Sequence, residues 1–183
     1  MNREQAWELL NEYTKKDSLI KHALAVEAAM RSYAKKFSED EEAWGIVGLL
    51  HDFDYEKYPT AQDHPFIGAK ILQEKGLDET WIKAILGHAD YTGVERDTLM
   101  AKTLFAVDEL TGMITAATLV RPSKKIDDLT VKSVKKKLKD KAFAASVNRD
   151  DIQKGVDELG VDLSEHIQFV IDAMKSQAEA LGL

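Results

Sequence analysis

The sequence predicts an all-α fold, and three observations support that prediction. Apolar residues recur at spacings of three and four along much of the 183-residue chain, as they do on the buried face of a helix. Residues that favour helix N-caps stand where several of these runs begin. No stretch alternates apolar and polar residues as a half-buried strand would, and no segment repeats.

The first clear helix covers residues 18–37, with Asp17 or Ser18 as its cap. Its buried stripe consists of Leu19, Ala23, Val26, Met30 and Tyr33. The next helix covers residues 40–52, and its acidic start suits the positive end of a helix dipole. His51 and Asp52 fall at its C-terminal end, and a loop is predicted over residues 53–61.

A third helix is predicted from a cap at Asp63 to about Gly76, because Pro65 is tolerated in a first turn. Asp78 is a natural start for a fourth helix, which would run to His88.

Residues 89–96 are predicted to form a loop, followed by a long helix from Asp97 through Leu119. Asp108 lies in the middle of this helix, within an apolar run. Gly112 weakens the helix but need not break it.

Arg121–Pro122 marks a boundary. Further helices are predicted over residues 128–140, 142–147, 148–159 and 164–181, with Asn148 and Ser164 as caps. We therefore expect a helical core over residues 1–120 and a helical C-terminal extension over 121–183 that packs on the same domain.

Composition excludes several classes of function. A formal net charge of −7 and a pI of about 5.3 argue against general nucleic-acid binding, which needs many cation–phosphate contacts. Cysteine is absent, so disulfides and thiolate metal sites are excluded. No apolar run approaches the roughly 20 residues that span a bilayer, and the N-terminus lacks a signal-peptide core. We expect a soluble, cytoplasmic protein, and the sequence does not predict its oligomeric state.

Histidines beside apolar helix faces suggest a metal site. A single such histidine is more often a core residue with a hydrogen-bond partner. This chain has four of them, His22, His51, His64 and His88, and Asp52 is adjacent to His51, so the five residues are considered as one candidate site. Imidazole and carboxylate ligands suit Fe, Mn, Zn, Co or Ni. Burying the carboxylate of Asp108 would be costly unless a metal ion, or an Arg or Lys partner, compensates it.

His22, the segment GLLHD at 48–52 and Asp108 within AVDEL together resemble the H…HD…D signature of the HD-domain superfamily of metal-dependent phosphohydrolases. The resemblance covers roughly residues 18–118. It is specific because the HD pair follows GLL at a helix end, with a histidine upstream and an aspartate downstream. It implies an HD-domain helical bundle in which one divalent ion is held by His22, His51, Asp52 and Asp108.

Two further segments, 63–72 and 84–90, resemble the extra histidine elements of HD subfamilies that hold two metal ions. The resemblance implies that His64 and His88 bind a second ion, with Asp52 as a bridging and catalytic residue. The alternative is a site with one metal ion, in which His64 and His88 only support the ligands or the core. The cofactor is therefore one or two divalent ions, whose identity the ligands leave open.

Residues 51–58 (HDFDYEKY) offer further candidates. Asp54 or Glu56 could act as a general base or orient a water molecule, and Lys57 could pair with a phosphate. The alternative is a polar surface loop. The segment departs from the HD-x-G-K version of the motif, which weakens assignment to the subfamilies that carry it.

The segment 121–141 contains nine Lys and Arg residues. It is either a solvated helix face or a border of the metal site, where Arg121 and Lys124 would hold a substrate phosphate. Arg149 is another candidate for phosphate binding, and His166 is expected to be structural or exposed.

The resemblance implies hydrolysis of small phosphate esters or anhydrides, such as nucleotides, by a metal-activated water. Two alternatives remain: a diiron oxygenase on the same fold, and a regulatory HD module without turnover.

Overall fold

The computed structural model describes all 183 residues, which form ten α-helices, two short 3₁₀ turns and no strand. The prediction of an all-α fold is confirmed. None of the helices combines the length and the apolarity that crossing a membrane requires. The helices are α1 (Arg3–Tyr13), α2 (Asp17–Phe37), α3 (Glu41–Leu50), α4 (Phe66–Glu74), α5 (Glu79–Leu86), α6 (Leu99–Leu119), α7 (Val131–Lys139), α8 (Arg149–Leu159), α9 (Leu163–Lys175) and α10 (Ala178–Leu181); the 3₁₀ turns are Asp90–Thr92 and Ile126–Asp128.

The two longest helices, α2 and α6, form the centre of the molecule. They contact each other, α3 packs along α2, and α8 packs along α6. Glycines allow the closest approaches: a Cβ on Gly48 of α3 would lie 3.0 Å from the carbonyl oxygen of Val26. A Cβ on Gly155 of α8 would lie 2.6 Å from the Cα of Ala106. These contacts bring the backbone of α3 close to that of α2, and the backbone of α8 close to that of α6.

The C-terminal helices share the hydrophobic core of the rest of the chain. One buried apolar cluster extends from Ala6 in α1 to Leu181 in α10. Helices α7 and α9 pack against α6, and α9 and α10 pack against α2. His166 of α9 is 1 % exposed; its Nδ1 accepts from the Tyr33 hydroxyl, and its Nε2 donates to the carbonyl of Ala106. The fifth histidine is therefore a buried residue of the core.

Several helix boundaries differ from the prediction by one or two residues. The N-cap of α2 is Lys16, without a side-chain bond, rather than Asp17 or Ser18. The N-cap of α6 is Thr98, whose hydroxyl accepts from a backbone amide, whereas the neighbouring Asp97 pairs with a lysine on α5. The caps predicted at Asp78 and Asn148 are confirmed.

The start of α4 also differs, because its N-cap is Pro65 and the Asp63 carboxylate accepts from the Thr60 hydroxyl instead. Asp162, rather than Ser164, caps α9.

Three larger differences concern whole elements. The helix predicted over residues 164–181 is divided into α9 and α10, because α9 ends at Lys175. Helix α1, which the sequence analysis did not identify, begins with a capping box between Asn2 and Gln5. Residues 142–147 form turns rather than the predicted helix. Ala144 there adopts a left-handed backbone conformation, and the guanidinium of Arg149 donates to carbonyls of the same segment, which satisfies them without a helix.

Candidate metal centre

Three helices each contribute one ligand to a first group, called here the first triad: His22 from α2, His51 at the end of α3, and Asp108 from α6. The Nε2 atoms of the two histidines lie 3.2 Å apart. They lie 3.0 Å and 3.4 Å, respectively, from Oδ1 of the aspartate. The three atoms thus converge on one small space, as the ligands of a single ion would.

A second group, called here the second triad, consists of Asp52, His64 and His88. The Nε2 atoms of its histidines lie 3.3 Å apart. They lie 3.1 Å and 3.2 Å from Oδ1 of Asp52. Its members come from the turn after α3, the residue before Pro65, and the end of α5.

Asp52 joins the two triads. Its Oδ1 faces the histidines of the second triad, whereas its Oδ2 lies 3.6 Å from Nε2 of His51 and 4.0 Å from Nε2 of His22. One carboxylate oxygen is therefore directed at each triad. This is the arrangement that a carboxylate bridging two ions requires.

Hydrogen bonds at the other ring nitrogens orient the histidines. Nδ1 of His51 lies 2.8 Å from the carbonyl oxygen of Gly48, and Nδ1 of His88 bonds to the carbonyl of Ile85. A carbonyl can only accept, so each Nδ1 carries the proton and each Nε2 keeps a lone pair for a ligand bond. The local helix geometry thus supplies the tautomer that metal binding needs.

His64 is oriented by a carboxylate instead. Its Nδ1 lies 2.8 Å from Oδ1 of Asp54, which is fully buried. The other oxygen of Asp54 accepts from the backbone amide of Gly68 at 2.8 Å. A Cβ on Gly68 would lie only 2.7 Å from the Asp54 carboxyl carbon. Both oxygens of Asp54 are thus occupied, and the residue positions His64 rather than acting as the general base that the sequence suggested.

The electrostatics of the cluster favour a cation. Burial alone would lower the pKa of His51, but Asp52 and Asp108 outweigh burial and raise it to about 9. Burial likewise opposes the charge on His64, and hydrogen bonds to Asp52 and Asp54 raise its pKa to about 9. Burial would raise the pKa of Asp108, yet the facing imidazoles hold it well below its usual range. The carboxylates are therefore ionised and favour positive charge beside the Nε2 atoms, which a bound cation would supply in place of a proton.

The residues present fit a dinuclear site for divalent ions. The donor set comprises four imidazole nitrogens and two carboxylates, which suits Fe, Mn, Zn, Co or Ni. The side chain of Asp108 is only 16 % exposed, and it forms salt bridges with histidines alone. The alternative explanation for its burial, an Arg or Lys partner, is therefore not found in the structure.

The two triads form one wall of a cavity of about 620 Å³. Its lining contains no Lys or Arg, and its carboxylates outside the triads are those of Asp90, Glu109 and Asp151. Asp90 is already paired with Arg96 and Lys154. The cavity is therefore acidic beyond the triads. The full lining is His22, Asp52, Tyr55, His64, His88, Ala89, Asp90, Tyr91, Phe105, Asp108, Glu109, Gly112, Asn148 and Asp151.

Glu56 and Lys57 do not line this cavity. The exposed carboxylate of Glu56 accepts from the backbone amides of Lys15 and Lys16, at 2.7 Å and 3.0 Å, and so fixes the chain before α2. The ammonium of Lys57 lies 3.8 Å from the ring centroid of Tyr13. The expected catalytic and phosphate-binding roles are corrected, because both side chains contact the α1–α2 region instead.

The three predicted phosphate-binding residues of the C-terminal third also lie elsewhere. The guanidinium of Arg149 is occupied by backbone carbonyls of residues 140–147. Arg121 lines a separate groove, and Lys124 is exposed in the turn that follows α6. None of the three borders the metal centre, so the structure does not support their expected role in holding a substrate phosphate there.

The sequence analysis missed the residues that support the site. Arg96 donates to the carbonyl of Gly87, pairs with Glu158 and stacks on Phe105, which ties the segment after His88 to α6 and α8. A lone arginine in a loop carries no sequence signal for this role. Gly68 did have a signal, since it belongs to the DHPFIGAKIL segment that resembles a histidine element.

Comparison with known proteins gives one family. A family model described as "HD domain" matches residues 19–113, just over half of the chain, and this span contains all six residues that could hold metal ions. No curated protein and no solved structure gives a significant match.

Proposed function

The chain belongs to the HD-domain family, and from that premise we propose that it is a metal-dependent phosphohydrolase acting on small phosphate esters or anhydrides. The observation that carries the proposal is the shared Asp52, which directs one oxygen at each of two complete triads. A pair of divalent ions in such a site supplies Lewis-acid charge and activates water for attack on phosphorus at neutral pH.

Each side chain of the centre then has a defined role. His22, His51 and Asp108 would hold one ion, and His64 and His88 the other, with Asp52 between them. Backbone carbonyls and Asp54 keep the imidazoles of His51, His64 and His88 in the tautomer that exposes Nε2. These three histidines would therefore need no rearrangement to accept the ions.

The walls of the cavity restrict the substrate class. Because no Lys or Arg lines the cavity, the charge of a substrate phosphate would be balanced only at the two triads. Burial raises the pKa of Glu109 to about 7. Above that pH, Glu109 and Asp151, which form no salt bridge, would repel any additional phosphate group. Tyr55 offers a neutral polar contact to the rest of the substrate, whereas the side chain of Asn148 is occupied as the cap of α8 and by Asp151. We therefore favour substrates with a single phosphate, such as nucleoside monophosphates, over triphosphates.

The complete set of four histidines and two aspartates also favours a second candidate, the diiron oxygenase, which uses the same ligands. A regulatory module without turnover is less favoured, because a site that has lost its activity usually loses a ligand.

One set of measurements tests the proposal. Protein purified anaerobically is analysed for metal content, then assayed for phosphate release from paired mono- and triphosphates and for oxygen consumption. We expect two ions per chain, phosphate release that is about tenfold or more faster from the monophosphate, and loss of release in Asp108→Ala. Oxygen consumption without phosphate release would favour the oxygenase, and neither activity across the panel would favour the regulatory module.

A further inference from the structure

A second groove, called here the basic groove, lies between the end of α6 and helix α7. It has a volume of about 420 Å³ and shares no lining residue with the metal cavity. Arg121, Lys136 and Lys137 supply its cations, and Ser133 and Asp140 its other polar side chains. The basic groove is thus opposite in charge to the metal cavity.

The surrounding segment concentrates positive charge that the protein itself leaves unpaired. Residues 121–141 carry nine Lys and Arg but only three Asp, in a chain whose net charge is −7. None of these nine cations forms a salt bridge, although Arg3, Arg31, Arg96 and Lys154 elsewhere do. The lysines and arginines of this segment therefore do not form ion pairs with the excess carboxylates of the chain.

Arg121 supplies a second, independent observation. Its Nε is buried and has no hydrogen-bond partner, as is also true of the Nε of Arg149. The two differ at their terminal nitrogens, because those of Arg149 donate to backbone carbonyls, whereas Arg121 forms no side-chain hydrogen bond at all. Buried donors are nearly always satisfied, so a guanidinium without any acceptor in the protein is suited to an external one. A guanidinium presents a planar fork of donors that matches the oxygens of a phosphate. The simpler explanation, that Arg121 caps the carbonyls at the end of α6, is not supported, because its side chain donates to none of them.

We propose that the basic groove binds a small phosphate-bearing anion through Arg121, Lys136 and Lys137. Three cations around one groove suit a phosphate or diphosphate group, whereas nucleic acid would need a longer track of cations than this acidic chain provides. Arg121 follows Asp108 by 13 positions, or about 20 Å along α6. Both sites can therefore be occupied together, and an anion in the groove would contact the segment that directly follows the helix carrying Asp108. This proposal does not depend on the proposed enzymatic activity.

Calorimetric titration with pyrophosphate tests the proposal, using the full-length chain in an Asp108→Ala background that impairs binding at the metal centre. We expect one pyrophosphate per chain in this background. The triple variant Arg121→Gln, Lys136→Gln, Lys137→Gln should weaken binding at least about tenfold. The matched control Lys124→Gln, Lys132→Gln, Lys139→Gln removes the same charge from exposed positions outside the groove and should change affinity no more than about twofold.

Three outcomes would overturn the proposal: no binding in the Asp108→Ala background, equal weakening in both triple variants, or a stoichiometry well above one. Arg121→Lys sharpens the test, because it keeps the charge but loses the planar fork. We expect it to weaken binding about threefold or more. Unchanged affinity would contradict recognition by the guanidinium and show that the groove attracts the anion by charge alone. Should the groove triple fail to fold, Lys136→Gln alone, at an exposed position, supplies the comparison with Lys132→Gln.

Discussion

The two triads of the metal centre are held in place by different means. The first triad takes its ligands from α2, α3 and α6, of which α2 packs against both of the others. The second triad takes its ligands from the turn after α3, the segment before α4 and the end of α5. Helix packing therefore positions the first triad, whereas the second depends on side-chain hydrogen bonds such as that between Asp54 and His64.

This difference indicates which kind of substitution should weaken metal binding at each triad. A residue in a packed helix can move only if its neighbours also move, because protein interiors are close-packed. A residue in a turn keeps its orientation only while its hydrogen-bond partners remain. The first triad should therefore be sensitive to changes of volume in the core, and the second to the loss of single polar partners.

The largest effect is expected at the residue that the triads share. Asp52→Ala should remove both ions, because each triad loses the Asp52 oxygen that is directed at it. Elemental analysis of the folded variant measures this directly. Asp63→Ala, a nearby carboxylate that bonds only to Thr60, serves as the control and should keep the metal. Full metal content in Asp52→Ala would disprove the assignment of the site.

Asp54→Ala should affect metal binding at the second triad but not at the first. His64 loses the acceptor that orients it, so affinity for the second ion should fall by about 10- to 100-fold, the usual cost of losing such a partner. The first ion should bind as before. Metal titration followed by elemental analysis distinguishes the two positions, and Glu56→Ala, two residues further on and exposed, is the control. Equal loss at both positions would show that the triads are not independently supported.

Gly155→Ala tests whether helix packing supports the first triad. The new methyl group would lie 2.6 Å from the Cα of Ala106, two residues before Asp108, and should destabilise the fold by about 1–3 kcal/mol. Gly112→Ala is a matched control within α6, because its nearest neighbour would be 3.8 Å away. It should stabilise the fold by up to about 1 kcal/mol.

Denaturant unfolding measures both glycine variants, and metal titration shows which ion is affected. We expect Gly155→Ala to weaken the first ion more than the second. A greater effect on the second ion would contradict helix packing as the support of the first triad.

The smallest expected effect concerns His166, the histidine that faces no carboxylate. Burial lowers the pKa of His166, whereas those of His51 and His64 are raised. Because its folded pKa lies below 6.5, the unfolded chain binds the proton first as the pH falls. Stability is therefore lost below about pH 6.5, at no more than about 1.4 kcal/mol per pH unit.

His166→Gln should reduce this acid sensitivity, because glutamine can still bond to Tyr33 and does not titrate in this range. Unfolding free energies of both proteins, measured from about pH 7.5 to about pH 5.5, give the comparison. An identical pH dependence in the two proteins would show that His166 does not contribute to the acid sensitivity.

Local patterns in the sequence predicted most of the helices. The apolar stripe of α2 predicted its span within one residue at its N-terminal end, because a buried face imposes the helical period directly. Caps were less certain where two suitable residues stand together, as at Asp97 and Thr98, since the backbone selects only one of them. The six ligands were identified through the family resemblance, which depends on short motifs and their order.

Only the tertiary structure decided how these residues combine. Asp54 looked like part of a polar surface loop, and its burial depends on the amide of Gly68, fourteen residues further along the chain. Arg121 and Arg149 looked alike as phosphate binders, yet the terminal nitrogens of Arg149 donate to backbone carbonyls, whereas the side chain of Arg121 forms no hydrogen bond. A charged side chain has the same local sequence signature whether its partner is a carbonyl, a carboxylate or a ligand, because its partner is set by long-range packing.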